Sequence, residues 1–556
     1  MSDSSPRTPE RLGYTAMSLL TLAPAVVQGL WRPLAVAAGV ELDAAWLVYA
    51  ALAVASAALV ACGLPGASRP WLPVASAALT AVVLGALLGG VGRAGASAAA
   101  ALLGVGLFCG ALGPWLLRNL PPTLDGLATG RKVTTALMIL LGAASVGATT
   151  QLSIYMADPA RPERSLAPES EFLVHHSCLS AYVQGTRLAQ EGVENLYAIE
   201  RWPHLSDSAE ARANGAQYAP FVLDTYAYPP PFLLLTRLLL SPLGDFASQR
   251  SVWFLFNVLC CAVGLWTVAR WVGGAAGLRA LLLAPLVWTT QAALVTFQVG
   301  NVHFVIVTAV MLALVAFDTR RPAVGGALLA FAVLSKISPA LLLLVLLLQR
   351  RVWEVLWTAA WCAVLSLASV AVFGLAPWVA FIQYQLPRLG SGEALAFLAL
   401  PDSVIINLSP FGLPFKLDLM GVHVADKWAL GGSLTQLFSL GLLLVTASAL
   451  RKDPSRRSQA ELWAALLTLA SLRSPLAPGY VLISLVWALT LAAVEVRGAP
   501  AVIAATLLWL SMTIPVPATS PALIGLGLLQ QAFMVLLTVY LVVRRTPVDA
   551  EPAMAG

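Results

Sequence analysis

Apolar runs recur along this chain at close to the length of about 20 residues that crosses a bilayer as a helix. Five come first, near 14 to 38, 44 to 63, 71 to 92, 96 to 117 and 132 to 154. After a polar interval they resume near 228 to 243, 251 to 272, 278 to 297, 301 to 317, 323 to 348 and 353 to 375, and again near 429 to 450, 460 to 472, 479 to 495, 499 to 515 and 521 to 543. The pattern predicts an all-α polytopic membrane protein. Three of the later runs are interrupted, by Pro231 with Arg237, by Gln298-Val299-Gly300-Asn301 and by Ser338-Pro339. Irregular backbone survives at membrane depth only beside protein or a watery cavity, so the breaks imply a cavity.

The polar interval from Ala157 to about Thr225 is the longest of its kind, and its Ser177 to Gln190 stretch carries the periodicity of a helix lying at the membrane interface. Long loops in compact proteins are usually functional. Arg7 and Arg11 before the first run, and Arg118, Arg131 and Lys132 between the fourth and fifth, place those regions in the cytoplasm. The loop then faces outward, and a second loop from Pro377 to Lys427 shares that face. Crossing parity between 226 and 320 stays open, because Arg270 and Arg279 compete with Arg320 and Arg321 for the cytoplasmic side.

Composition narrows the class. Of 556 residues, 59% are hydrophobic and 11% charged, against about 25% charged in a soluble domain, and mean hydropathy is +0.81. A soluble enzyme is excluded. The net charge of +6 reports cytoplasmic loops and is no nucleic-acid signal. Five of six cysteines lie in apolar runs, leaving Cys178 in the polar loop, so neither a disulfide framework nor a thiolate metal site is indicated. The first apolar run is too long for a signal-peptide core and reads as a retained helix.

Four clusters could carry chemistry. Glu169-Ser-Glu171-Phe-Leu-Val-His175-His176 offers two carboxylates and two imidazoles, enough for a general base and a partner that orients it; the alternative is a solvated loop. Asp224-Thr-Tyr226-Ala-Tyr228-Pro-Pro-Pro231 is a rigid start to a helix, with tyrosines that could flank a polar head group. Gln298-Val-Gly-Asn301-Val-His303 puts amides and an imidazole between apolar runs. Lys336 stands alone in an apolar stretch, either snorkelling or holding a phosphate. No metal is expected, since no helical pair of histidines shares a face.

Taken in order, Tyr228-Pro-Pro, Gln298-Val-Gly-Asn301, the run from Gly325-Gly to Lys336-Ile-Ser-Pro339, Arg350-Arg351, Asn407-Leu-Ser-Pro-Phe-Gly412 and Ser474-Pro to Gly479-Tyr480 resemble glycosyltransferase family 87 over about residues 132 to 543. The resemblance implies a GT-C-like helical bundle that transfers a sugar, typically mannose, from polyprenyl phosphate. It also implies an acidic base opening the first outer loop. The family's Asp-Phe-x-Val-Tyr context reads Glu171-Phe-Leu-Val-His175 in this chain, and Gly300-Asn-Val-His303 stands where a Gly-Gln-x-Asn motif is expected.

The expectations are therefore concrete. Residues 1 to 131 form a four-helix membrane extension, and 132 to 556 form the core with its outer loop at 156 to 225. Glu171 is the base, with Asp224 and Glu169 as the other carboxylates that could serve. His175, His176, Tyr226, Tyr228, Gln298, Asn301, His303 and Lys336 bind substrate, Lys336 being first choice for the leaving phosphate and His303 second. The partners are a polyprenyl-phosphate-linked sugar donor, a lipid or glycan acceptor and membrane lipids, with no nucleic acid and no cofactor. The site faces outward from a bacterial inner membrane. A transporter or lipid flippase without chemistry is the rival, since broken helices suit a midplane substrate site equally well; a membrane scaffold would not need the buried polar residues.

Overall fold

The computed structural model describes residues 8–37, 39, 93–125, 132–157, 162–449, 455–494, 496, 500, 503, 505–509 and 520–544. The expected spans near 44 to 63 and 71 to 92, and much of that near 499 to 515, lie outside the described residues. Among the rest the chain is an all-α polytopic membrane protein. Six helices are long and apolar enough to cross a membrane: Pro9–Ala37, Met138–Ala157, Phe246–Val272, Val352–Phe373, Lys427–Ser448 and Pro521–Val543. Shorter apolar helices, His303–Asp318, Pro322–Ser335, Ser338–Leu348 and Gly479–Ala493, stand between them.

Local chemistry sets the breaks. The run expected to continue from 278 to 297 is instead two helices, Gly274–Trp288 and Gln291–Val299, bent by 59°. Pro285 removes a backbone donor, and Thr290 caps the second helix by accepting from the Ala293 N–H at 3.3 Å. Gly300 ends that second helix in the left-handed region at φ 68°. Only glycine fits comfortably there, since a Cβ would also press on Leu179 at 3.3 Å and on Trp253 at 3.2 Å. Its carbonyl accepts from the Trp253 indole at 2.7 Å.

The polar loop, described over residues 162–225, is folded onto the bundle. Its Cys178–Gln190 helix is buried on most faces, and Tyr182, Trp202 and Tyr226 belong to the same apolar cluster as Trp253 and Phe304 of the bundle helices. Gly185 lets this helix approach closely, its Cα facing the Tyr226 ring where a Cβ would sit 2.9 Å away. A short parallel pairing of His176–Ser177 with Val222–Leu223 joins the two ends of the loop. The first helix, Pro9–Ala37, packs into the bundle as well: the Gln28 amide donates to the Ser251 carbonyl at 2.9 Å, and Arg11 pairs with Asp125 at 2.8 Å.

Candidate functional site

Beneath the polar loop of residues 162–225 lies a cavity of about 1430 Å³. Its wall combines loop residues His176, Cys178, His204, Asp224 and Tyr228 with Asn301, Lys336 and Tyr480 of the broken segments, and with Lys416 and Arg473 further along the chain. Much of the remainder is aliphatic, including Leu341, Leu389 and Leu443. Such a lining suits a lipid chain, with polar groups confined to a few places.

Backbone pairing builds the acidic end. The register that sets His176 opposite Val222 and Ser177 opposite Leu223 carries Asp224 back beside His176, although 48 positions separate them. Ser180 Oγ accepts from the Asp224 N–H at 3.0 Å, and Asp224 Oδ1 accepts from the Thr225 N–H at 2.8 Å. Asp224 Oδ2 then stands 3.8 Å from His176 Nε2. Phe172 stacks on the His176 ring at 4.7 Å and fixes its plane. Burial pushes His176 below the ordinary histidine range, with the Asp224 charge pulling against that fall. The imidazole is thus neutral at neutral pH. Among the described residues no lysine or arginine lies within ion-pair distance of Asp224, which leaves its charge available to a substrate proton.

The neighbouring Cys178 thiol lies 3.3 Å from His176 Nε2 and accepts from Asn301 Nδ2 at 3.3 Å. Burial pushes this thiol well up, so it is not a thiolate nucleophile. His176, Cys178 and Asp224 together present three donor atoms within 4.8 Å of one another, a spacing that could hold a metal ion. Lys336 is near enough for its charge to act on Cys178, and a fixed ammonium there weakens the case for a divalent cation. Lys336 itself ends the Pro322–Ser335 helix, with its Nζ 4.8 Å from the centre of the Tyr480 ring.

The candidates taken from the sequence divide sharply. Asp224, His176, Tyr228, Asn301 and Lys336 share the cavity wall. Glu169 and Glu171 do not: both are exposed, with Glu171 opening a five-residue helix capped by Ser170. The structure therefore does not bring the expected base to the cavity. His175 turns the other way from His176, its Nδ1 3.0 Å from the Pro220 carbonyl. Tyr226 is fully buried and donates to the Pro229 carbonyl, so it braces the helix start. Gln298 acts as a clamp, accepting from the Leu166 N–H at 2.7 Å and donating to the Leu173 carbonyl at 2.8 Å. His303 is fully buried and lies behind the wall. Asn301 accepts from the His303 N–H at 2.9 Å while presenting its amide to Cys178.

Several wall residues were not singled out from the sequence. Cys178 was noticed only as the one cysteine in a polar loop. His204, Lys416 and Arg473 carry no local signal beyond residue type, and Tyr480 has one only as the end of the Ser474-Pro to Gly479-Tyr480 motif, although an isolated lysine in Leu413-Pro-Phe-Lys416-Leu417 is the same kind of sign as Lys336.

Residues 226–475, less than half of the chain, match the family model for glycosyltransferase family 87. No curated protein and no solved structure matches the chain. The match contains Tyr228, Asn301, Lys336, Lys416 and Arg473 and begins just after Asp224. The match supports a membrane glycosyltransferase, and it gives no support to the transporter and scaffold readings.

Proposed function

We propose that this membrane glycosyltransferase moves a mannose-like sugar from a polyprenyl-phosphate donor to a hydroxyl of a lipid or glycan acceptor, inside the cavity under the outer loop. The observation that carries the reading is the meeting, on one largely aliphatic wall, of a carboxylate and an ammonium that have no ion-pair partner of lysine, arginine or carboxylate among the described residues. Asp224 takes the proton of the acceptor hydroxyl as that oxygen attacks the anomeric carbon. The bond from that carbon to the phosphate oxygen breaks, and polyprenyl phosphate departs with the electron pair. Lys336 faces the charge that grows on the leaving oxygen. Neutral His176, held by Phe172, fixes the carboxylate's direction. Tyr228, its hydroxyl 3.1 Å from that of Tyr182 and its carbonyl accepting from Tyr197, gives the sugar a rigid polar edge.

The aliphatic wall accommodates the donor's lipid chain. The cavity opens toward the outer face of a bacterial inner membrane, following the charge asymmetry around the Lys132–Ala157 helix. Incubating the purified protein with labelled polyprenyl-phosphate sugars and following label into membrane lipid tests the reaction. Transfer that survives Asp224→Asn unchanged overturns the mechanism. Orientation is tested by thiol labelling in intact cells: a cysteine at Ser206 is reached and one at Arg118 is not, and the reverse pattern inverts the topology.

A further inference from the structure

The charges on the cavity wall do not balance. Lys336, Lys416 and the exposed Arg473 line it, against one carboxylate among the described residues, that of Asp224. A sugar phosphodiester brings one negative charge, which leaves one cation of the three unmatched. Lys416 is the cation least able to stay so. Its side chain is 95% buried, and the partner of its ammonium is the neutral Gln531 Oε1 at 3.1 Å. The carboxylate two residues on, Asp418, is committed to Lys427 at 2.6 Å. Burial pushes Lys416 down to about 8, so it still carries its proton at neutral pH. A buried charge without a counter-ion is costly, and among the described residues no carboxylate lies within ion-pair distance of Lys416.

Lys416 is also built apart from Lys336. Lys336 closes the Pro322–Ser335 helix and stands over Tyr480 near Cys178. Lys416 sits in the Leu413–Leu419 helix of the second loop and is tied by Gln531 to the Pro521–Val543 helix, whose Gln531 amide in turn donates to the Leu408 carbonyl. These are different elements with independent anchors.

We propose that Lys416 forms a second anion subsite in this cavity, separate from Lys336, that takes a group of the phosphate class. That group is either the phosphate of an acidic acceptor lipid or the second phosphate of a diphosphate-linked donor. The inference deepens the proposed function and rests on its assignment of the donor phosphate to Lys336.

Native mass spectrometry of the full-length protein in detergent, titrated with dodecyl phosphate and with dodecyl maltoside as the neutral control, counts the sites. Two dodecyl phosphate molecules are expected on the wild type. Lys416→Gln should weaken one of them about tenfold or more, the loss expected from one charge-assisted hydrogen bond, while Lys416→Arg retains it and Lys336→Gln weakens the other. A single molecule, removed by Lys336→Gln and indifferent to Lys416→Gln, overturns the second subsite and leaves the donor reading standing. Sensitivity to Lys416→Gln alone keeps the subsite and overturns the role of Lys336; sensitivity to neither variant overturns both. Should Lys416→Gln fail to fold, the wild-type count decides, one molecule overturning the subsite and two, with both kept by Lys416→Arg, supporting it. Dodecyl diphosphate separates the sources: displacement of both molecules identifies a diphosphate donor, and displacement of only the Lys336-dependent one identifies an acidic acceptor.

Discussion

Two parts of the polar loop carry carboxylates and imidazoles, yet the fold places them differently. From Glu169 to His175 the polar groups that could act as base or ligand stand away from the cavity, Glu169 and Glu171 exposed and His175 against the Pro220 carbonyl, although Ser170, Phe172 and Leu173 reach its wall. One residue later the chain enters the parallel pairing, and His176, Cys178 and Asp224 converge on the cavity. The difference is made by neighbours, not by residue type. The Glu171 carboxylate stands in water, whereas that of Asp224 accepts from the Thr225 N–H beside the stacked His176 and, among the described residues, has no lysine or arginine within ion-pair distance, which suits it to the proposed role of base.

Exchanging the carboxylates is the strongest way to break this contrast. Asp224→Asn should lower sugar transfer by about 100- to 10,000-fold, the usual cost of losing a general base. Glu171→Gln and Glu169→Gln should leave it near wild type, as surface changes do. Rates with labelled donor decide, and a dead Glu171→Gln enzyme beside an active Asp224→Asn one would return the base to the exposed stretch.

A smaller effect is expected at the other end of the reaction. Lys336→Ala should reduce kcat/KM for the lipid-linked donor roughly 10- to 150-fold, corresponding to about 1.5–3 kcal/mol for a hydrogen bond to a charged group. The melting temperature should hardly move. Wild-type kinetics in a stable mutant would mean that Lys336 only anchors its helix break beside Tyr480.

The clamp between loop and bundle can be loosened without touching either charge. Gln298→Leu leaves the Leu166 N–H and the Leu173 carbonyl without their partner, each at about 1–3 kcal/mol when buried. Hydrogen exchange at residues 166–173 should rise and thermal unfolding should come earlier. Unchanged protection there would show that the loop is held by its apolar cluster alone.

The smallest expected effect is on pH dependence. His176 has its folded-state pKa below the unfolded value of about 6.5, so the unfolded chain binds the proton more readily. Stability is then full above about 6.5 and falls as pH drops below it. In His176→Asn that decline should be shallower, as read by melting temperature between pH 7 and 5. An identical slope in both proteins would show that His176 is solvated and that the contrast between the two stretches is overdrawn.

How much of this was legible in the chain follows from the range of each interaction. Whether a segment enters a bilayer depends on the summed transfer of about 20 consecutive residues, a local quantity, and the membrane class, the long spans, the helix start at Phe232 after three prolines and the breaks at Gly300 and near Lys336 could all be read from it. Motif order pointed to the family that residues 226–475 match. The bend at Thr289 and Thr290 was missed because two threonines inside an apolar run look like continuing helix until one of them caps.

The site was only half visible, for a physical reason. Sequence alone determined that acidic and imidazole groups crowd the first outer loop and that a lone lysine interrupts a later helix. Which carboxylate faces the cavity was decided by a pairing between His176–Ser177 and Val222–Leu223, and pairing register is a property of two segments far apart in the chain. The same holds for Lys416, whose burial depends on Gln531 more than a hundred residues away, and for Gln298, a clamp whose partners belong to the outer loop. Local free energy selected the helices; the packing of distant segments chose which of their polar groups were left facing an empty space.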